Sequence, residues 1–170
     1  MIKTIASTAL AVLLTAGQAI AQQTVFLVRH AERADGGAGV ATTSMTKGAD
    51  PELSEAGRAR AESLAAMLKD AKLTAIIATE YKRTQQTAAP LAKALGVAVT
   101  IIKANEPAEV IKTVKAAAGN VLIVGHSNTM PDIMKALGDA APAAIADNEY
   151  DNLFVLTVGT TTTTLRLHYK

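Results

Sequence analysis

The stretch Val25-Phe26-Leu27-Val28-Arg29-His30-Ala31-Glu32-Arg33 is a short apolar run that breaks off into an arginine, a histidine and further charges. Four apolar residues bounded by polar ones read as a buried strand, which puts Arg29 and His30 at its carboxyl end. In open α/β sheets that edge is where ligands bind. Ninety-six residues after His30, Val121-Leu122-Ile123-Val124-Gly125-His126-Ser127-Asn128 repeats the arrangement, an apolar strand delivering a histidine at its end. The chain has three histidines, and two of them stand this way.

Outward from these two strands, strand-like and helix-like segments alternate. Leu73 to Ala78 and Val97 to Ile102 read as further strands. Leu153 to Val158 and Thr163 to Tyr169 close the chain as two more across a Gly-Thr turn, the last alternating Leu165, Leu167 and Tyr169 with Arg166 and His168. Ser54 is placed to cap a helix carrying Ala61, Leu64, Ala65 and Leu68 on one face. Thr84 to Leu95 is a second helix closed by Gly96, Pro107 opens a third that runs to Ala118, and Gly138 stops a fourth over Pro131 to Leu137. The alternation implies an α/β fold, a three-layer α/β/α sandwich with a mainly parallel central sheet and an antiparallel edge. Asp35 to Asp50 lacks periodicity and reads as a loop over the site, since structureless loops beyond ~12 to 15 residues are uncommon in compact domains unless functional.

Residues 1–21 read as a secretory signal peptide: Lys3 supplies the positive start, Ile5 to Ala16 are mostly apolar or small, and Ala19-Ile20-Ala21 is an A-x-A cleavage site. Polar interruptions at Thr4, Ser7, Thr8, Thr15 and Gln18 argue against a lasting membrane anchor, which needs ~20 apolar residues in a row. The expectation is an exported protein, periplasmic or secreted, with one domain over 22–170. Cysteine is absent, which excludes disulfides, thiolate metal sites and a cysteine nucleophile. A domain of ~150 residues buries roughly 70% of its unfolded surface and can rely on its core. The formal charge of the whole chain is +2, and Lys3 is the only charge before Ala21, so residues 22–170 carry a net +1. That balance gives no case for nucleic acid or an anionic membrane, and the 3% aromatic content removes the stacking platforms of single-strand binders.

A third strand end agrees with the two histidines. Ile76-Ile77-Ala78-Thr79 leads into Glu80-Tyr81-Lys82-Arg83-Thr84-Gln85-Gln86-Thr87, which places Arg83 at the start of a helix. A helix N-terminus favours phosphate, and arginine adds a planar fork of donors matched to phosphate oxygens. Arg58 and Arg60 read instead as solvated surface arginines.

Taken together these segments resemble the histidine phosphatase superfamily, the phosphoglycerate mutase-like proteins. Arg29-His30-Ala31-Glu32 is similar to its Arg-His-Gly signature, with Ala31 in place of the usual glycine. Leu53-Ser54-Glu55-Ala56-Gly57-Arg58-Ala59-Arg60-Ala61 is similar to the helix start that follows. Arg83-Thr84-Gln85-Gln86-Thr87-Ala88 matches the Arg-x-x-Gln-Thr-Ala segment, and Gly125-His126-Ser127 the second-histidine motif. The resemblance implies a phosphoglycerate mutase-like fold and metal-independent phosphomonoester hydrolysis, with no cofactor. In it His30 is the nucleophile and becomes a phosphohistidine, Arg29 and Arg83 clamp the phosphoryl oxygens, and His126 donates a hydrogen bond to the developing charge. Arg33 is a third candidate phosphate contact, with a salt bridge to Glu32 or Glu52 as its alternative. The proton donor falls in Asn105-Glu106-Pro107-Ala108-Glu109, where Glu106, between a strand and a helix, is preferred to Glu109.

Other readings are open at this point. Gly125-His126-Ser127-Asn128-Thr129 partly imitates the nucleophile elbow of serine hydrolases, although Thr129 replaces its second glycine. A phosphoglycerate mutase-type transferase and a non-catalytic phosphate-ester binder are the remaining alternatives. The expected partner is a small phosphate ester or a phosphorylated envelope component. The arginines beside the histidines already supply positive charge, so no metal site is expected. Nothing in the sequence fixes the oligomeric state.

Overall fold

The computed structural model describes residues 22–36 and 50–170. The segment read as a signal peptide, 1–21, lies outside the described residues, as do 37–49 of the loop expected over 35–50. In chain order the elements are β1 (Gln23–Arg29), α1 (Glu55–Leu68), β2 (Leu73–Ala78), α2 (Lys82–Leu95), β3 (Val99–Ile101), α3 (Pro107–Ala116), β4 (Asn120–Gly125), α4 (Met130–Ala136), β5 (Asn152–Val158) and β6 (Thr163–His168). The strands form one sheet in the order β3-β2-β4-β1-β5-β6. The first four are parallel neighbours, and β5 and β6 add an antiparallel edge beside β1.

β1 and β4 carry the apolar runs 25–28 and 121–124 at the centre of the sheet, where both faces are covered. Their side chains divide by parity. Val25, Leu27, Val121 and Ile123 point to the face covered by α3 and α4, where Val110, Val114, Ile133 and Met134 meet them. Val28, Leu122 and Val124 point to the other face, against Leu64 and Leu68 of α1 and Leu91 of α2. The expected three-layer sandwich is present. Local signals hold as well: Ser54 Oγ accepts from the Gly57 N–H at 3.0 Å, and Gly96 ends α2 with a left-handed φ of 66°.

The terminal edge strand is bare, and one arginine departs from the sequence reading. All six residues of β6 are exposed, Leu165 and Leu167 among them, and only Tyr169 beyond it is buried. The strand lies at the open edge of the sheet beside β5, and its alternation gives it no buried face. Arg60 is not a solvated surface residue. Its guanidinium grips both oxygens of Glu32 at 2.6–2.9 Å and donates to the carbonyl of Tyr169, tying the chain end to the segment after His30. Burial alone would raise the Glu32 carboxyl, but the bonds from Arg60 outweigh it and hold the group below the usual range.

α1 docks on that same segment through Gly57. A β-carbon there would stand 2.2 Å from the carbonyl oxygen of Glu32 and 3.0 Å from its nitrogen, backbone atoms that cannot turn aside. Gly57→Ala should therefore cost about 1–3 kcal/mol, the range of overpacked sites. Urea unfolding of parent and variant measures it, and an unchanged midpoint would mean that α1 and the Glu32 segment are not rigidly docked.

Candidate active site

β1 and β4 pair with Arg29 opposite Gly125, and the His30 N–H continues the ladder by donating to Gly125 O at 3.0 Å. The residue after each strand is a histidine, so the rings of His30 and His126 meet, centroids 5.4 Å apart and planes at 62°. β2 lies on the other side of β4 with Ala78 opposite Val124, which brings Thr79 to the same edge. Both histidines are buried.

The protonation of His30 follows from one bond. Its Nδ1 lies 2.8 Å from the carbonyl of Ala31, and a carbonyl can only accept, so Nδ1 carries the proton and Nε2 of the neutral ring carries the lone pair. Burial pushes the ring down to about 3; the Ala31 bond opposes this, and the charges of Arg83, Arg29 and His126 reinforce it. His126 is lowered to about 4, first by burial and then by Arg83, with Glu80 opposing. The site holds two neutral imidazoles at ordinary pH.

Arg29 and Arg83 act on both rings, and Arg33 stands near Arg83. Arg29 Nη1 donates to the carbonyls of Ala146 and Glu149 at 3.1 and 3.2 Å, its guanidinium stacks 4.3 Å over Tyr150, and Asp147 stands 4.0 Å away. Arg83 stacks 4.2 Å over Tyr81 and lies 3.6 Å from Asp50; burial first, then neighbouring Arg33, lower its pKa. Arg33 is paired with neither Glu32, held by Arg60, nor Glu52, which faces Lys82, but with Asp35. The Nε–H groups of Arg29, Arg33 and Arg83 are all buried with no hydrogen-bond partner among the described residues. A buried donor left unpaired costs about 1–3 kcal/mol; Arg29 and Arg83 act electrostatically on both histidines, and Arg33 on Arg83, so this edge of the sheet carries positive charge suited to an anion.

The phosphate site expected at the α2 N-terminus is otherwise arranged. The Lys82 N–H donates to both carboxylate oxygens of Asp50, and the Thr84 N–H bonds Tyr81 O, so a carboxylate already holds that dipole end. What α2 contributes is the Arg83 side chain. Glu106 is half exposed, its carboxylate 3.7 Å from Lys103. Glu109 pairs with exposed Lys112. The strand-to-helix segment instead lends Asn105 to a cleft of ≈ 450 Å³, whose walls include His30, Tyr81, Arg83, His126 and Asn128, and no carboxylate among the described residues.

Sequence reasoning missed Thr79, Tyr81 and Tyr150. Thr79 had a signal, since it follows β2 as His30 follows β1 and His126 follows β4. Tyr81 precedes Arg83 by two residues, but Tyr150 comes from an aperiodic stretch that nothing local could place. Ala31, where the resembling family has glycine, is fully buried, donates its N–H to Thr87 Oγ1 at 2.9 Å and packs in a small cluster with Leu53 and Ala61. The serine-hydrolase alternative finds no support, because Ser127 bonds Asp147 and the third histidine, His168, pairs with Asp151 on the exposed edge. No group of three or more potential metal ligands gathers among the described residues, and no helix among them is long and apolar enough to cross a membrane.

Residues 25–106 match the family model of the histidine phosphatase superfamily, branch 1. No curated protein matches the chain. Among solved structures, a mycobacterial glucosyl-3-phosphoglycerate phosphatase with VO3 superposes with a TM-score of 0.66 at 15% identity, over 86% of this chain and 98% of its own. A protein described as the phosphohistidine phosphatase SixA from Agrobacterium tumefaciens gives 0.61 at 24% identity, over 85% and 97%. One described as an alpha-ribazole-5'-P phosphatase from Escherichia coli gives 0.65 at 14%, over 86% and 96%. At these identities the likeness establishes the shared fold.

The two depressed histidines set a pH dependence. Each has a folded pKa below its unfolded value of about 6.5, so on acidification the unfolded chain takes up protons that the native state refuses. Stability from this source is complete above about pH 6.5 and is lost as pH falls toward 4 and 3. The thermal midpoint should therefore drop between about pH 7 and about pH 4.5, and drop less in His30→Asn. Equal drops in calorimetry would show that His30 is not a source of the acid sensitivity.

Proposed function

We propose that this chain, which belongs to the histidine phosphatase superfamily, is a phosphomonoester hydrolase that works through a phosphohistidine on His30. The observation that carries the reading is the bare Nε2 of a buried, neutral His30 beside Arg29 and Arg83, both of which keep an unpartnered buried donor. Phosphoryl transfer needs little covalent help from a protein beyond a placed nucleophile and charge neutralisation on the equatorial oxygens. His30 Nε2 attacks phosphorus in line while Arg29, Arg83 and Arg33 hold the oxygens, and His126 faces the same group. Water then cleaves the phosphorus–nitrogen bond. A protein that merely held a phosphate ester would gain nothing from a nucleophilic lone pair at that point. Transfer to a second hydroxyl, as in a mutase, would use the same first step, and the products distinguish it.

Among the described residues the cleft walls carry no carboxylic acid to protonate the departing oxygen; Glu106 lies beside Lys103, and Asp147 is engaged by Ser127. The reaction then suits leaving groups that depart as stable anions. The proposed substrates are small phosphate esters or phosphorylated envelope components, met outside the cytoplasm if residues 1–21 direct export.

The test is turnover of para-nitrophenyl phosphate and of an alkyl phosphate by the parent, His30→Ala and Glu106→Gln, with and without chelator. The parent should hydrolyse the aryl ester far faster than the alkyl ester and be indifferent to chelator. His30→Ala should lose at least about 10³-fold, as expected when a covalent nucleophile is removed. Glu106→Gln should change either rate by less than about twofold, since an exposed pair contributes little. Aryl turnover undiminished in His30→Ala would overturn the proposal.

A further inference from the structure

Thr79 and Thr84 stand behind His126, and their hydroxyl protons can be assigned by counting. Thr84 Oγ1 lies 3.0 Å from the carbonyl of Thr79 and 2.8 Å from that of Tyr81. Carbonyls only accept, so the single Thr84 proton goes to them; any other orientation would set three acceptor oxygens against one another. Toward Thr79 Oγ1, 2.9 Å away, Thr84 must then accept. That spends the Thr79 proton, and Thr79 Oγ1 accepts in turn from His126 Nε2–H at 2.9 Å. The neutral His126 ring has its proton on Nε2, and its other nitrogen, Nδ1, makes no hydrogen bond among the described residues. Since His126 lines the cleft, Nδ1 is the nitrogen left for a ligand. The donor role expected for His126 from the sequence is open only to its protonated form.

The ring is fixed from its other sides too. Tyr81 meets it edge-on at 5.3 Å and His30 at 5.4 Å. Its backbone carbonyl receives the N–H groups of Thr129 and Met130 at the start of α4. Of the charges around it, Glu80 favours the protonated ring, while Arg83 and Arg29 oppose it.

We infer that Thr79 and Thr84 are positioning residues: their hydroxyl chain holds the His126 proton on Nε2 and presents the Nδ1 lone pair to the water that hydrolyses the His30 phosphoryl group. The inference rests on the phosphohistidine reading above. In the step, the water oxygen bonds phosphorus, the bond from phosphorus to His30 Nε2 breaks, and its electron pair returns to that nitrogen. One water proton moves to His126 Nδ1. The resulting imidazolium returns it to solvent as inorganic phosphate leaves.

Rapid-quench kinetics with para-nitrophenyl phosphate on the parent, Thr79→Val and Thr79→Ser separates the two steps. Valine keeps the shape and removes the relay. It should leave phosphorylation of His30 within about twofold but slow hydrolysis of the phosphohistidine by about tenfold, part of the ~10²–10⁴ that a positioned acid–base group supplies. A burst of nitrophenol and an accumulating phosphoenzyme would then appear in Thr79→Val and vanish in Thr79→Ser. Equal slowing of both steps, or no rescue by serine, would overturn the inference. Nitrogen-15 spectra of histidine-labelled parent protein at neutral pH decide the tautomer independently: a proton on Nε2 of His126 is expected, and one on Nδ1 would refute the relay. If the parent forms no phosphohistidine, the proposed function and the hydrolytic role resting on it fall, while the spectra still report whether the relay itself exists.

Discussion

The site depends on the register between β1 and β4. A strand's side chains alternate faces, so a slip of one residue would exchange core and surface along its whole length. β1 is bonded on one side to β4 and on the other to β5, and both its faces are buried. Neither a slip nor a local bulge is open to it without losing the contacts of Val25, Leu27 and Val28. With Arg29 held opposite Gly125 and the His30 N–H on Gly125 O, the first residue past each strand has no choice but to face the other. The adjacency of His30 and His126, 96 residues apart in sequence, is a consequence of core packing.

Burial then sets the chemistry. The same desolvation that keeps both imidazoles neutral would be prohibitive for three arginines unless their charge were spread or answered. The fold answers it piecemeal: carbonyls of Ala146 and Glu149 and the Tyr150 ring for Arg29, Tyr81 and Asp50 for Arg83, Asp35 for Arg33. None of these partners takes the Nε–H donors. In the proposed reaction an incoming phosphoryl group would meet positive charge that the protein has already desolvated, so little reorganisation would be needed as charge develops in the transition state.

Much of this was legible in the residues because it is local. Apolar runs ending in histidine, the Ser54 cap, Gly96 and Pro107 each act within one or two turns of chain, and the elements they announce are present to within a few residues. Arg29, His30, Arg83 and His126 converge because they follow strand ends on one edge of a parallel sheet. What could not be read was set by contacts distant in sequence. Arg60 reads as a surface residue because Glu32 and Tyr169, which hold it, are distant in sequence. Asp50 takes the α2 N-terminus, and residues 146–150 wrap Arg29 without any periodicity to announce them. Glu106 lies beside Lys103, while its neighbour Asn105 lines the cleft, a division that the strand-to-helix position alone does not announce.

The central claim is that the Nε2 lone pair of His30 attacks phosphorus because the Ala31 carbonyl holds the proton on Nδ1. Phosphorus–nitrogen coupling in the trapped phosphoenzyme of nitrogen-15 histidine-labelled protein identifies which ring nitrogen bears the phosphoryl group. The account predicts coupling to Nε2 of His30. A phosphoryl group on Nδ1, or on His126, would contradict it.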